Sequence, residues 1–210
     1  IGTLPFTGSY DLINNIDIFK KTFPGIYIRI KEEAGSLDLL KMLQAGIIDV
    51  AYAFSVPEKK YDDCFEFTPL IKGEMVLVTS KTHPFANKEH PSLSLFAEEL
   101  FIFPPRTHSM YEVALQACRK NGFEPKIACE CGQLNMVFNL ITKGVGISFG
   151  SSQLLKETLP PDIHLITLDP IIERTICLVT LKDNHPLSIT ALFRDFMIKT
   201  ASCIVRGHGL

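Results

Sequence analysis

Hydroxyl side chains and glycines recur at the places where helices are expected to begin. The pattern occurs four times, at Thr7-Gly8-Ser9, Gly35-Ser36, Thr107-His108-Ser109 and Gly132-Gln133. The first amide groups of a helix have no intrahelical acceptor, and the helix dipole places about half a positive charge there. Several such ends that converge would bind an anion without a buried lysine. Each hydroxyl could instead simply cap its own helix, and both interpretations stay open.

Other side chains that could act in catalysis or binding are scattered along the sequence rather than paired. Arg106 could give a charge-assisted hydrogen bond to a carboxylate, although a solvated arginine fits equally well. His108 lies in a predicted strand-to-helix loop, where it is either a surface residue or a ligand contact. His83 precedes a proline, which favours a loop or hinge over a catalytic base. No nucleophile elbow, phosphate loop, dinucleotide fingerprint or zinc motif appears, so we predict no catalytic residue, metal ligand or cofactor.

The six cysteines contain no CxxC pair. Cys118 reads as helical, and Cys129, Cys131 and Cys177 fall in apolar, strand-like runs, where cysteine acts as a small hydrophobic residue. We therefore interpret them as reduced core thiols and expect them to be dispensable for function. Redox sensing and metal binding remain alternatives.

Composition restricts the class of protein. The 210 residues carry a net charge of -2, which predicts no direct binding of nucleic acid. No apolar run of about 18 residues exists, so no membrane span is expected. The chain begins without methionine or a signal-peptide pattern, and we expect it to be a fragment of a longer protein.

Strand and helix patterns alternate along the chain. An alternation of this kind predicts an α/β fold with mainly parallel sheets, whose ligands bind at the loops after the strands. The predicted helices contain Leu12 to Phe23, Ser36 to Leu43, Ser109 to Asn121, Leu134 to Ile141 and Ile189 to Met197, with Ser36 as a cap. The predicted strands are 26–30, 47–54, 74–79, 100–103, 126–131, 147–149, 163–168 and 175–181.

Several motifs in this order resemble one known family. They are Ile1-Gly2, Phe23-Pro24-Gly25 before the strand 26–30, the run 46–51, His83-Pro84 after a strand, and the glycine turn 144–148. Together they resemble the effector-binding domain of LysR-type transcriptional regulators over essentially the whole chain.

The resemblance implies a two-lobed type-2 periplasmic-binding-protein-like fold. Each lobe would be a mostly parallel sheet flanked by helices, with residues 1–79 and 179–210 in lobe I and 80–178 in lobe II. It also implies a small, anionic effector in the cleft between the lobes, and a homodimer or tetramer in the cytoplasm. DNA would be bound only through an N-terminal winged helix-turn-helix that this chain lacks.

By position, the resemblance puts the effector contacts on Phe6-Thr7, Ser36 and His108-Ser109-Met110. The neighbouring loops complete the prediction, which comprises Phe6, Thr7, Ser36, Phe54, Arg106, Thr107, His108, Ser109, Met110, Gln133 and Phe149. The family's glycine turn is commonly followed by a proline-containing segment, whereas this chain has Phe149-Gly150-Ser151-Ser152. The reactive cysteine of the peroxide-sensing branch would fall in 106–110, which has none.

Two alternatives use the same scaffold. The first is a solute-binding component of a transporter, which would be exported. The second is an enzyme, for which the sequence offers no credible acid, base or nucleophile.

Overall fold

The computed structural model describes residues 1–4, 10–55, 64–155, 159–182 and 189–207. It divides into two compact units. Unit 1 comprises Ile1–Lys72 and Thr175–Leu210, and unit 2 comprises Gly73–Arg174. Both boundaries fall inside long strands, Phe65–Ser80 and Ile163–Leu181. The lobe boundaries predicted after residues 79 and 178 lie further along the same two strands.

Unit 1 is built on short strands with helices between them. The first strand pairs in parallel with the second and third, and the third runs antiparallel to the end of the eighth, with Phe54 opposite Ile176. Its elements are β1 (Gly2–Thr3), α1 (Tyr10–Thr22), β2 (Lys31–Glu32), α2 (Ser36–Gln44), β3 (Ala51–Phe54), the start of β4 (Phe65–Ser80), the end of β8 (Ile163–Leu181) and α6 (Ile189–Gly207).

Two strand predictions in unit 1 differ from the structure. The alternation of Ile26, Ile28 and Ile30 predicted a strand over 26–30, but none of these residues is in a strand, and β2 follows at Lys31 and Glu32. The run from Ile47 predicted a strand eight residues long, and only the four residues of β3 form one. In both cases pairing with β1 begins only opposite Gly2, because β1 has two residues.

Unit 2 contains helices and paired strands. Its further elements are β5 (Leu100–Phe103), α3 (Tyr111–Lys120), β6 (Lys126–Glu130), α4 (Leu134–Thr142), β7 (Ser148–Ser151) and α5 (Ser152–Leu155). The second half of β4 runs antiparallel to β7, and β5 runs parallel to β6. The strands predicted at 163–168 and 175–181 are one continuous strand, β8. A 3-10 helix at Leu93–Phe96 and the one-turn helix α5 were not predicted.

Aromatic rings fill the core of unit 2. Phe96, Phe101 and Phe103 are fully buried, and Phe149 stacks on Phe101 with ring centroids 5.4 Å apart. Phe103, at the carboxyl end of β5, also packs edge-on against Tyr111 at the start of α3, with ring centroids 5.4 Å apart.

The glycine turn before β7 is set by close backbone contact. Gly144 has φ of 74° and ends α4, as predicted. A Cβ atom on Gly146 would lie 2.4 Å from the carbonyl oxygen of Leu100. Only glycine therefore lets this turn pack against β5.

The strand prediction at Lys126–Cys131 is confirmed, but the burial expected of its two cysteines is not. Cys129 and Cys131 are partly exposed, because β6 is the outer strand of a two-stranded sheet. Cys118 and Cys177 are buried as expected. Burial raises the pKa of the Cys118 thiol to about 12 and that of Cys177 to about 11.

Candidate functional site

The loop 106–110 connects β5 to α3 and is folded around His108. The His108 amide donates to the carbonyl oxygen of Pro105 at 2.8 Å, and its own carbonyl accepts from the Tyr111 amide at 3.0 Å. Its Nδ1 atom accepts from the amide of Met110 at 3.1 Å. These bonds use a neutral imidazole, with the proton on Nε2. Burial, reinforced by the positive charge of Arg174, lowers the pKa of His108 and favours that neutral form.

A buried cation lies beside this loop. Arg174 is 6% exposed, and its Nη2 atom donates to the carbonyl oxygen of Ser109 at 3.3 Å. Burial lowers the pKa of its guanidinium to about 10, so Arg174 is charged at neutral pH. The sequence prediction missed this residue. Its only signal was an arginine placed immediately before the apolar run 175–181.

The other residues of the loop 106–110 differ in their exposure to solvent. Met110 is buried at the start of α3, whereas Arg106 and Thr107 are exposed. The Arg106 guanidinium lies 5.4 Å from the centre of the Tyr111 ring, a cation–π distance. Gly132 approaches Pro105 so closely that an added Cβ would lie 3.2 Å from the proline ring. The exposed Gln133 thus begins α4 next to the loop 106–110.

In unit 1, Ser36 does not have the role expected of a cap. Gly35 occupies the N-cap position, with φ of −115°, and Ser36 is the first residue of α2. The Ser36 side chain is 5% exposed, and its hydroxyl finds no hydrogen-bond partner in the described part of the chain. The capping prediction is therefore wrong in its details. What remains is a buried hydroxyl at the positive end of a helix.

Four predicted residues remain to be placed. Phe54 is buried at the end of β3 in unit 1, and Phe149 is part of the aromatic core of unit 2. Phe6 and Thr7 lie outside the described residues. Contact between these four residues and an effector stays a prediction.

The described residues show no group of three histidine, cysteine or acidic side chains that could hold a metal ion. Over that same part of the chain, no helix is long and apolar enough to cross a membrane.

Comparison with known proteins identifies the family. The family model of the LysR substrate binding domain matches residues 1–202 of this chain. The chain belongs to this family. LysR substrate-binding domains in solved structures share its fold: the effector-binding domain of QuiR in complex with shikimate has a TM-score of 0.80, with 20% identity over 96% of this chain and 95% of that one. The Synechocystis CcmR regulatory domain in complex with 2-PG has a TM-score of 0.83, with 18% identity over 95% of both chains.

Curated relatives of this LysR-type chain are longer proteins. An uncharacterised HTH-type transcriptional regulator of Bacillus subtilis, YwbI, is 23% identical over 88% of this chain and 60% of its own length. The Escherichia coli dual regulator OxyR is 27% identical over 85% of this chain and 58% of its own length. The chain thus spans about three-fifths of these relatives. The predicted α/β, type-2 periplasmic-binding-protein-like fold is confirmed, with a mixed rather than mostly parallel larger sheet.

Proposed function

We propose that this chain senses a small anionic metabolite for a LysR-type transcriptional regulator. Unit 2 would hold the anion at the loop 106–110. The observation that carries the proposal is the position of Arg174 beside that loop. Burial, and after it the charge of Arg174, lowers the pKa of His108, which shows that the guanidinium charge reaches the loop. The amide groups at the start of α3 add to that positive charge.

The effector contacts follow from the same argument. The amides of His108 and Met110 are already bonded within the loop, so the Nε2–H of His108 and the Ser109 hydroxyl would be the donors to the anion. Arg106, Thr107, Met110, Gln133 and Phe149 would surround it. In unit 1, Phe6, Thr7, Ser36 and Phe54 would contribute further contacts. The buried Ser36 hydroxyl supports this assignment, because a ligand oxygen would satisfy it.

The assembly of the full protein is part of the proposal. DNA would be bound by a segment outside this chain, in a cytoplasmic dimer or tetramer. Contacts between copies through α1 would use Ile13 and Ile18, which are exposed, and not Leu12, which is buried. Sedimentation should show a dimer or larger at high micromolar concentration. The relatives named above are regulators, which favours this function over a transport component or an enzyme.

Some relatives are hydrogen peroxide-inducible genes activators. Thiol chemistry in the loop 106–110 would need a cysteine there, and this chain has none. The raised pKa values of Cys118 and Cys177 also disfavour a reactive thiolate. We therefore propose effector binding rather than peroxide sensing.

A thermal-shift screen tests the proposal directly. Small carboxylates and phosphate esters should stabilise the chain, and neutral analogues of the same shape should not. A ligand at 100 times its Kd adds about 2.7 kcal/mol to the free energy of unfolding. Arg174→Gln should abolish the response, whereas Arg119→Gln, an exposed arginine of the same unit, should leave it intact. Anions that stabilise Arg174→Gln as strongly as the parent chain would contradict the proposed site.

A further inference from the structure

Two cysteines at the carboxyl end of β6 form a pair that the proposed function does not use. Cys129 and Cys131 are both partly exposed. Both side chains pack against the same apolar cluster of unit 2, which contains Val137 and Phe138 of α4. Side chains alternate between the two faces of a strand, and Glu130 between the cysteines is exposed. The two thiols therefore lie on one face, the face toward that cluster.

The backbone at the pair is held in an extended form. Glu130 lies opposite Phe103 in the parallel ladder, and the amide of Cys131 donates to the carbonyl oxygen of Phe103 at 2.8 Å. The Cys131 thiol donates to the carbonyl oxygen of Gln133 at 3.7 Å, a weak bond that is easily given up. The spacing of the two cysteines is thus the spacing of alternate residues in a strand.

That spacing favours one kind of thiol chemistry over another. Alternate positions in a strand are about 6.6–6.8 Å apart, whereas a disulfide needs Cβ atoms about 3.5–4.5 Å apart. An ion held between the sulfur atoms relaxes this requirement, because it inserts two metal–sulfur bonds of about 2.3 Å each. The pair therefore fits a shared ion better than an internal disulfide.

The ion that fits is soft and needs few ligands. Thiolates select soft ions such as Cu(I), and two thiolates are enough to hold Cu(I). A structural zinc ion takes four protein ligands. The described part of the chain contains no group of three histidine, cysteine or acidic side chains that could supply them.

We propose that Cys129 and Cys131 bind one Cu(I) ion through both sulfur atoms. The two thiols release their protons to water, two copper–sulfur bonds form, and no oxidation state changes. The apolar cluster under the thiols limits the access of water to the ion. The proposal does not rest on the anion site beside Arg174, so either one can fail without the other.

The test is an anaerobic titration of the 210-residue chain with Cu(I), in competition with the coloured chelator bathocuproine disulfonate. The chain carries Cys64→Ser and Cys203→Ser, which remove an exposed thiol and one whose side chain lies outside the described residues. Cys118 and Cys177 stay, because they are buried. Native mass spectrometry should show one copper ion per chain, with the loss of two protons.

Three variants of this chain test the geometry. Cys129→Ser and Cys131→Ser, each alone, should weaken Cu(I) binding by about 100-fold or more, because the second thiol acts at a high effective concentration. Cys129→Ser combined with Glu130→Cys keeps two thiols but places them on opposite faces, and it should not restore binding. The matched control is the chain with Cys64→Ser and Cys203→Ser, which should bind Cu(I) as tightly as the unsubstituted chain.

A second measurement needs no change at the pair itself. Bound Cu(I) should protect Cys129 and Cys131 from alkylation by iodoacetamide, as mass spectrometry of digests would show. Thermal unfolding of the copper-free chains checks that each variant is folded.

Five results would overturn the proposal. They are the absence of copper binding, one copper ion shared by two chains, equal affinity in the single variants, binding restored by the variant with thiols on opposite faces, and unprotected alkylation of the pair in the presence of Cu(I).

Discussion

Replacement of Ser36 by alanine distinguishes a binding hydroxyl from a structural one. A capping serine stabilises its helix, and its loss costs about 0.5–2 kcal/mol. Ser36 caps nothing, and its buried hydroxyl has no partner among the described residues. A buried, unsatisfied polar group costs about 1–3 kcal/mol. Ser36→Ala should therefore leave the free energy of unfolding of the ligand-free chain unchanged or raise it by up to about 1 kcal/mol.

Ser36→Ala should weaken effector binding, although it does not destabilise the ligand-free chain. A hydrogen bond to a charged ligand contributes about 1.5–3 kcal/mol, so Ser36→Ala should weaken effector binding by tenfold or more. Ser36→Thr keeps the hydroxyl and should bind more tightly than the alanine variant. Urea unfolding measures the first effect, and calorimetry with an effector found by thermal shift measures the second.

Ser92 provides the matched control. It is the N-cap of the 3-10 helix, and its hydroxyl accepts from the Ser94 amide at 3.4 Å. Ser92→Ala should lower the free energy of unfolding by about 1 kcal/mol and leave effector affinity alone. If Ser36→Ala is destabilised as much as Ser92→Ala and binds the effector normally, the reasoning about Ser36 is refuted.

Three further predictions concern other parts of the chain. The pKa of His108 is lowered on folding, so the unfolded chain binds a proton more readily than the folded chain does. The free energy of unfolding should therefore fall as the pH drops below 6.5, and urea titrations should show a shallower fall for His108→Gln. Among the cysteines that the structure describes, a thiol reagent at mildly alkaline pH should modify the exposed Cys64 in the native chain and spare Cys118 and Cys177, as mass spectrometry of digests would show. Gly146→Ala should cost roughly 1–3 kcal/mol in unfolding experiments because its methyl group meets the Leu100 carbonyl, whereas Gly25→Ala, with open space around it, should cost far less.

Local patterns in the sequence predicted most of the helices. Apolar spacing marked α1 and α4, and glycines marked the ends of α2, α3 and α4, because a positive φ at a helix end is a local requirement. Strand lengths were harder to predict. The alternation at Ile26, Ile28 and Ile30 indicated a strand, yet the ladder begins only at Lys31, opposite Gly2 of the two-residue strand β1.

The site was predictable only in part, for a similar reason. The loop 106–110 could be located from the order of strand and helix. Arg174 could not, because its contact with Ser109 joins residues 65 positions apart and leaves no periodic trace in the sequence. The wrong burial of Cys129 and Cys131 arose in the same way, since an apolar run does not reveal whether its strand is central or at an edge.

The division of the chain has a consequence for the order in which its parts complete during synthesis. Unit 2 is one continuous segment that is finished once Arg174 has emerged, whereas unit 1 needs the 36 residues from Thr175 to Leu210. At about 5–20 residues per second, the ribosome adds those residues in roughly 2–7 seconds. During that interval β3 lacks its antiparallel neighbour β8, and Ala51 to Phe54, which become fully buried, have one open edge. We therefore expect the edge of β3 to be open to aggregation or proteolysis until this part of β8 has been added.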